Sequence, residues 1–311
     1  SRFGELKQIS LRAFYSFRFA RIIPNLALML GIVVPLGLMG VEIFANDSQT
    51  PSLGLTVLSI LTFTHNVLME KFGWFNYCLN TLWSLSIEEV FYFSFPLICI
   101  FLRKTWLILS CWALFALIGP LHRAHYLAND IVALHSYLSC FDSIAIGCIV
   151  AALGNGKSYS KQTSTLVTSV AALMIGSIYF YKGILANAVV GISLVSLSTA
   201  AILLVRTQGQ PKRWPIIGRI LSGIRWFGKN SYELYLFHII VLAIMRTVMK
   251  KEDVSYAMKP LWLGAFILLS AIASELIARF YSEPLNRKLR TFLTSPLIWT
   301  TTRPSTSSLQ G

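Results

Sequence analysis

Long apolar stretches dominate the pattern of hydrophobic and polar positions along this chain. A helix needs about 20 apolar residues to cross a hydrocarbon core of ~30 Å. Eight stretches fit that requirement: residues 22–44, 82–102, 105–121, 135–153, 165–181, 184–205, 231–249 and 261–281. A ninth, residues 53–68, is interrupted by polar residues and is short enough to be re-entrant or interfacial. The pattern therefore predicts an all-α fold, a polytopic transmembrane bundle of about eight helices.

Composition and charge support a membrane protein. Hydrophobic residues make up 55% of the 311 residues and charged residues 13%, outside the usual range of soluble domains. The net charge of +14 does not indicate a nucleic-acid partner, because the basic residues are spread between hydrophobic stretches. The positive-inside rule explains them better and places 1–21, 206–230 and 282–311 in the cytoplasm. We expect an integral multi-pass protein of the plasma membrane, in bacteria the inner membrane, in contact with membrane lipids.

Two adjacent carboxylates, Glu88 and Glu89, stand near the start of an apolar stretch. Ionisable groups at membrane depth are costly and are functional candidates by default. In a helix, Ser84, Glu88 and Tyr92 share one face at intervals of four residues. Glu88 is therefore the better candidate for an inward-facing group that handles a proton or binds substrate. The alternative is that both carboxylates lie in the headgroup region and end a helix.

Arg18 and Arg21 lie immediately before the first predicted span. Their spacing of three residues places them on adjacent turns of a helix at the cytoplasmic surface. Two guanidinium groups in that arrangement suit the clamping of phosphates or of a carboxylate. Ordinary positive-inside anchoring is the competing interpretation.

A polar stripe enters the span that begins near residue 231. Ser231, Tyr235 and His238 fall on one helical face and are expected to point into the bundle. His238 either moves protons or forms a structural hydrogen bond to a neighbouring helix.

Asp142 is a further acidic residue inside an apolar stretch, and the nearby Gly147 would permit close approach of a second helix. Glu275 and Arg279, four residues apart, are expected to neutralise one another. Pro284 is expected to end the last span, with Glu283 at the cytoplasmic boundary.

Metal binding and disulfides are not indicated. His122, His125, Asp130 and His135 gather in one outer segment, but their loose spacing is more typical of loop histidines than of a metal site. The five cysteines show no metal-binding spacing and imply no disulfide framework.

Taken together, four strings in order along the chain resemble motifs of the acyltransferase-3 family of membrane proteins. Arg18 and Arg21 are similar to its RxxR segment. The other three similarities are Trp83-Ser84-Leu85 with Glu88, Phe91 and Tyr92; Ser231-Tyr232 with Tyr235, Leu236 and His238; and Glu283-Pro284 with the terminal ExP.

This resemblance implies transfer of an acyl group to a hydroxyl of a cell-surface or lipid-linked saccharide. The implied donor is acetyl-CoA or another acyl-CoA, with no metal, and the implied fold has ten spans. Arg18 and Arg21 would hold the donor, and Glu88, Tyr235 and His238 would act at the reacting groups. The remaining candidate residues are Trp83, Ser84, Asp142, Ser231, Tyr232 and Glu283.

One departure from the family pattern concerns the beginning of the chain. Family members open with two further spans, the first carrying an Arg and a His thought to be needed for transfer. We therefore expect residues 1–290 to form the acyltransferase domain without those spans, inactive as it stands, and residues 291–311 to form a flexible tail. Two other functions stay open: a proton-coupled transporter or lipid-linked glycan flippase using Glu88, Asp142 and His238, and a scaffold for a partner.

Overall fold

The structure is a computed structural model that describes residues 11–47, 50–154, 159–181, 187–206, 215–249 and 255–294. Its helices are α1 Leu11–Leu38, α2 Leu53–Leu61, α3 His65–Phe72, α4 Trp83–Leu102, α5 Thr105–His125, α6 Asp130–His135, α7 Tyr137–Gly154, α8 Lys161–Tyr181, α9 Ala188–Arg206, α10 Pro215–Lys229, α11 Ser231–Val248, α12 Lys259–Ile277 and α13 Glu283–Thr294. Within those ranges there is no strand, and eight helical segments are long and apolar enough to cross a membrane. The predicted all-α, eight-span bundle is confirmed.

The first spanning helix begins earlier than the apolar pattern predicted. Helix α1 starts at Leu11 and ends at Leu38, whereas the apolar stretch was placed at 22–44. Arg18 and Arg21 therefore lie within the helix rather than before it. Long basic side chains permit this because their aliphatic stems can lie along apolar surface while the charged group reaches a polar region.

The segment 53–68 forms two short helices rather than one span. Helix α2 ends at Leu61 and α3 begins at His65, with the polar residues Thr62 and Thr64 in the connection. Ser52 caps α2 by accepting a hydrogen bond from the backbone of Leu55, as is usual for serine at this position. Neither piece has the roughly 20 residues that a crossing requires.

Helix α4 joins the two parts of the bundle. Its first turns pack in a core with α1 and α11, where Leu26, Leu85 and Leu236 are almost fully buried. Its later turns pack through Phe91 and Phe95 against Trp112 of α5. Helices α7 and α9 complete the second part. The face of α4 that carries Leu85 is therefore placed opposite α1 and α11.

The last span does not end at Pro284. Helix α12 passes through a π-helical turn at Ala278–Ser282 directly into α13, which begins at Glu283. Pro284 directly follows the π-helical turn, whose altered hydrogen-bond pattern accommodates a residue without an N–H. Of the predicted tail, residues 291–294 are helical and residues 295–311 lie outside the described residues.

Candidate functional site between helices α1, α4 and α11

The predicted polar face of α4 is present and contacts two neighbouring helices. One turn before Glu88, the Ser84 hydroxyl lies 2.6 Å from the Tyr235 hydroxyl of α11. One turn after it, the Tyr92 ring lies under the Arg18 guanidinium of α1, with the Arg18 Cζ 3.5 Å from the ring centroid. Glu88 itself is exposed. Glu88 is therefore exposed between the position where α4 contacts α11 and the position where it contacts α1, and this exposed position is the gap between the three helices.

The prediction that Glu88 is the more inward-facing carboxylate is wrong. Glu89 is the more enclosed of the two, and its Oε1 is buried without a hydrogen-bond partner. The face that Glu88 shares with Ser84 and Tyr92 does point toward other helices, through the contacts of Ser84 and Tyr92, but Glu88 itself is exposed. Sequence periodicity identifies such a face and cannot show whether the facing helix covers every position on it.

Two arginines share this region with the two carboxylates. Glu88 lies within electrostatic range of Arg18 and Arg21, and Glu89 within range of Arg18. Yet none of the four residues forms a hydrogen bond or an ion pair within 4 Å to any described residue. Arg18 is held by stacking on Tyr92, and Arg21 is exposed, with its Cζ 5.8 Å from the Tyr232 ring. Both guanidinium groups thus keep their planar set of N–H donors unused.

Aromatic hydroxyls fix the backbone around these charges. The Tyr232 hydroxyl donates to the carbonyl of Ile22, and the Tyr15 hydroxyl donates to the carbonyl of Phe93. The first bond ties α11 to α1 and the second ties α1 to α4. The two arginines are therefore carried by a helix that is anchored on both sides.

A buried polar group beneath the site was missed from the sequence. Asn25 donates to Glu233 Oε1 at 3.2 Å and to Ser282 Oγ at 3.0 Å, and the Ser282 hydroxyl donates to the same Glu233 oxygen. All three residues are at most 9% exposed. The group joins α1, α11 and the π-helical turn. Its one sequence signal was Glu233 directly beside Tyr232, an acidic residue in the first turn of a helix, where the helix dipole favours it.

The polar stripe predicted on α11 is confirmed in part. Tyr235 and His238 are half-buried, and the Tyr235 hydroxyl donates to the Thr81 carbonyl. Ser231 is exposed, so its expected inward direction is wrong. His238 Nδ1 bonds carbonyls of its own helix, 3.0 Å from Leu234 O and 2.7 Å from Tyr235 O, rather than a neighbouring helix. Because both partners are acceptors, Nδ1 carries the proton, and Nε2 is left as the basic nitrogen.

Glu275 does not pair with Arg279. Its Oε2 accepts hydrogen bonds from Trp226 Nε1 at 2.8 Å and from Asn230 Nδ2 at 2.7 Å. The α-helix ends at Ile277 and the π-helical turn begins at once, which changes the angular offset between the two residues. Arg279 lies 5.7 Å from the Phe280 ring instead.

Glu283 bridges two segments at the end of the bundle. Its Oε1 lies 2.7 Å from Lys229 Nζ, and its Oε2 accepts from Arg287 at 3.4 Å. The neighbouring Glu283 carboxylate raises the pKa of Lys229 above its ordinary value. The Lys229 side chain is 67% exposed in this pair, so the contact adds little to stability. It does place residue 229 and the start of α13 at the same end of the bundle, in agreement with the topology predicted from charge.

Asp142 belongs to a separate, complete network. Its Oδ2 lies 2.5 Å from Arg123 Nη2, and the Ser193 hydroxyl bonds both side chains at 2.6 Å. Arg123 and Asp142 are 0% exposed. No hydrogen bond or ion pair joins Asp142 to Glu88 or His238. The close helix approach is at Gly119 rather than Gly147, since a Cβ at Gly119 would meet Asp142 Cβ at 2.5 Å, whereas Gly147 has open space.

The outer histidines do not converge. Among the described residues, no three His, Cys, Asp or Glu side chains are placed to hold a metal. His122 bonds the hydroxyl of Ser139 at 2.9 Å, and the His135 ring packs edge-on against Trp83 with centroids 4.5 Å apart. Trp83 is thus a packing residue at the start of α4.

Comparison with known proteins gives a consistent result. The family model described as "Acyltransferase domain" matches residues 4–279. The chain is similar to the protein named O-acetyltransferase OatA of Staphylococcus aureus in strains COL and MRSA252, at 23% identity over 316 aligned residues for each. Each alignment covers 93% of this chain and 49% of the relative, so the chain spans about half the length of these curated relatives. No solved structure matches the chain.

The family match extends over nearly the whole chain and includes every helix of the gap between α1, α4 and α11. The helical, membrane-spanning architecture agrees with it. The chain therefore belongs to the membrane acyltransferase-3 family, as an integral multi-pass acyltransferase domain.

Proposed function

We propose that the protein transfers an acetyl group from acetyl-CoA to a hydroxyl of a cell-surface or lipid-linked saccharide. The observation that carries the proposal is the pair of arginines with unused donors, Arg18 and Arg21, at a gap between spanning helices. The relatives' name, O-acetyltransferase, supports the acetyl group and the oxygen acceptor. The saccharide follows from the resemblance of the motifs.

Arg18 and Arg21 hold the phosphates of the donor in this proposal. A guanidinium group presents five N–H donors in a fixed plane and binds phosphate oxygens in pairs. Stacking of Arg18 on Tyr92 fixes that plane without using the N–H groups. Helix α13 lies beside the part of α1 that carries Arg18, since the Arg290 Cζ is 5.0 Å from the Phe17 ring centroid. Since α13 is predicted to be cytoplasmic, this contact supports a cytoplasmic location for the donor, where acyl-CoA is found.

Glu88, Tyr235 and His238 act on the acceptor and the thioester. Glu88, exposed in the gap, accepts a hydrogen bond from the acceptor and orients it. Tyr235 lies one turn away across the Ser84 contact, and its hydroxyl hydrogen turns from the Thr81 carbonyl to the oxyanion that develops on the acyl carbonyl. His238 offers Nε2 as the base that takes the hydroxyl proton. The acyl carbon then forms its bond to oxygen, and CoA leaves as the thiol with that proton.

Donor binding is tested by titrating acetyl-CoA into the full-length protein in detergent. Arg18→Lys and Arg21→Lys should each weaken binding by about 10-fold or more, because a hydrogen bond to a charged group is worth roughly 1.5–3 kcal/mol. Arg246→Lys is the matched control. Arg246 also lies over an aromatic ring, with its Cζ 4.8 Å from the Tyr77 centroid, but toward the opposite end of α11. Equal affinity in all three variants and the native protein would reject the clamp.

Transfer is tested by following CoA release with a saccharide acceptor present. His238→Gln should lower the turnover number by about 10²–10⁴-fold and leave acetyl-CoA affinity unchanged. Normal turnover in that variant would remove His238 from the reaction.

A further inference from the structure

A serine and a histidine lie in hydrogen-bond contact away from the arginines. Ser59 Oγ of α2 is 2.9 Å from His65 Nδ1 at the start of α3. Ser59 is 5% exposed and His65 0%. A hydroxyl beside an imidazole nitrogen is the arrangement by which proteins turn serine into a nucleophile. Neither residue has a role in the acyl-transfer steps described above.

The other side of the His65 ring determines which nitrogen carries the proton. Nε2 is fully buried without a hydrogen-bond partner of normal geometry, and so is Oδ1 of Asn80. The Asn80 side chain and the Leu79 backbone are the polar neighbours of the His65 ring. A proton on Nε2 therefore points at available acceptors, which leaves Nδ1 as the base toward Ser59. The Ser59 hydroxyl also reaches the Thr56 carbonyl at 2.7 Å, and its single hydrogen can turn from that oxygen to Nδ1.

Ser59 also lines a cavity of about 250 Å³ between α2 and α3. The walls are mainly apolar, with Leu55, Leu58 and Val67 among them, and the polar lining comes from Ser59, Thr62, Thr64 and Lys71. The Thr62 and Thr64 hydroxyls lie 3.0 Å apart. The space therefore offers a small acyl group both an apolar wall and two threonine hydroxyl groups beside the serine.

This cavity is linked to the proposed donor site through α4. The His65 backbone N–H donates to Ser86 Oγ at 3.3 Å. Ser86 stands three residues before Glu89, which is about 4.5 Å along a helix, and Glu89 is within electrostatic range of Arg18. The Ser59–His65 pair and the arginines thus adjoin the same two turns of α4 from different sides.

We propose that Ser59, with His65 as its base, accepts the acyl group as a covalent ester before the acceptor hydroxyl receives it. Ser59 Oγ attacks the thioester carbonyl, the bond from the acyl carbon to sulfur breaks, and the Ser59 proton passes to His65 Nδ1 and then to the departing thiolate. The acceptor hydroxyl next attacks the ester, loses its proton to His65, and Ser59 leaves as the alkoxide that regains that proton. The inference rests on the proposed function for its acyl-CoA donor, and in this two-step course His65 replaces His238 as the base that takes the acceptor's proton.

The test uses the full-length protein in detergent with ¹⁴C-acetyl-CoA and no acceptor, followed by acid quenching, digestion and mass spectrometry. Acetyl should appear on the peptide that contains Ser59. Ser59→Ala should abolish that label, and His65→Gln should slow its formation by about 10²–10⁴-fold. Ser94→Ala is the matched control, since the Ser94 hydroxyl donates to the Phe91 carbonyl of its own helix, and it should label as the native protein does.

Ser59→Cys, made in a protein freed of its five native cysteines, guards against a failure to fold. Cysteine is nearly the same size and should carry the acetyl group as a hydroxylamine-sensitive thioester. p-Nitrophenyl acetate, which has no CoA portion, should acetylate Ser59 even in Arg18→Lys. Acetyl-CoA binding and transfer without any label on Ser59, together with normal turnover of Ser59→Ala, would overturn the relay alone. Labelling by p-nitrophenyl acetate with no binding of acetyl-CoA would support Ser59 and reject the proposed donor.

Discussion

Two groups of charged residues within the spanning helices differ in how they are satisfied. Arg123 and Asp142 form an ion pair with no exposed surface, supplemented by Ser193 and by the Ser139 carbonyl. The second group has the same residue types, Arg18, Arg21, Glu88 and Glu89, with both carboxylates within electrostatic range of Arg18. They form no ion pair within 4 Å and no hydrogen bond to any described residue, and Glu89 keeps one buried oxygen without a partner.

The contrast separates a structural role from a binding role. A charge buried away from water is stable only with a partner, and the chain supplies one completely for Asp142. Arg18 of α1 is stacked on Tyr92, Arg21 has its Cζ 5.8 Å from the Tyr232 ring, and both keep their donors free at a gap that reaches the surface at Glu88. The first group fixes α5, α7 and α9 against one another. The second is prepared for an anionic ligand.

The largest effect on stability is expected from breaking the ion pair of Arg123 and Asp142. Asp142→Ala should destabilise the protein by about 3–5 kcal/mol, because Arg123 is then left as an uncompensated buried charge. Unfolding in detergent, followed by circular dichroism across a denaturant series, measures it. Replacing both partners, as Arg123→Met with Asp142→Leu, should recover most of the loss. If Asp142→Ala were as stable as the native protein, the Arg123–Asp142 pair would be solvated. It would then not differ from the Arg18 group in the way described.

A second effect is expected in the pH dependence of stability, through His65, a buried group that is neutral in the folded protein. Burial lowers the pKa of His65 to about 4, against about 6.5 in an unfolded chain. Between these values the unfolded state binds a proton that the folded state does not, so stability falls as the pH is lowered from 6.5 toward 4, by up to about 3 kcal/mol. The difference in unfolding free energy between native protein and His65→Gln should shrink by that amount over this range. A constant difference would mean that His65 is solvated or paired.

The smallest effect on stability is expected at Arg18, which forms no ion pair. Arg18→Leu should change the free energy of unfolding by only about 1 kcal/mol, the value of its stacking on Tyr92, because no ion pair is lost. The same variant should lose acetyl-CoA binding. Thermal unfolding with and without acetyl-CoA checks both, since the ligand should raise the midpoint of the native protein only. A loss of stability as large as that of Asp142→Ala would show that Arg18 has a structural role.

Several features of this protein follow from the sequence alone. The length of each apolar stretch fixes the number of spans, because the bilayer thickness sets the length of a helix that crosses it. Helical periodicity placed Ser84, Glu88 and Tyr92 on one face of α4, and the contacts of Ser84 with Tyr235 and of Tyr92 with Arg18 confirm that face. The ordered motifs identified the family, which the match over residues 4–279 confirms.

Tertiary structure alone decided which partner each polar group received. Glu275 accepts hydrogen bonds from Trp226 and Asn230 and does not pair with its helical neighbour Arg279. Helix α13 includes Pro284, where the pattern predicted that the helix would end. Asp142 and Glu88 look alike in sequence, since each is a carboxylate in an apolar stretch. Only the packing of α5 against α7 brought Arg123 to Asp142 and left Glu88 at a gap. Periodicity depends on neighbours within one helix, whereas the energy of a charge depends on groups that arrive from other helices.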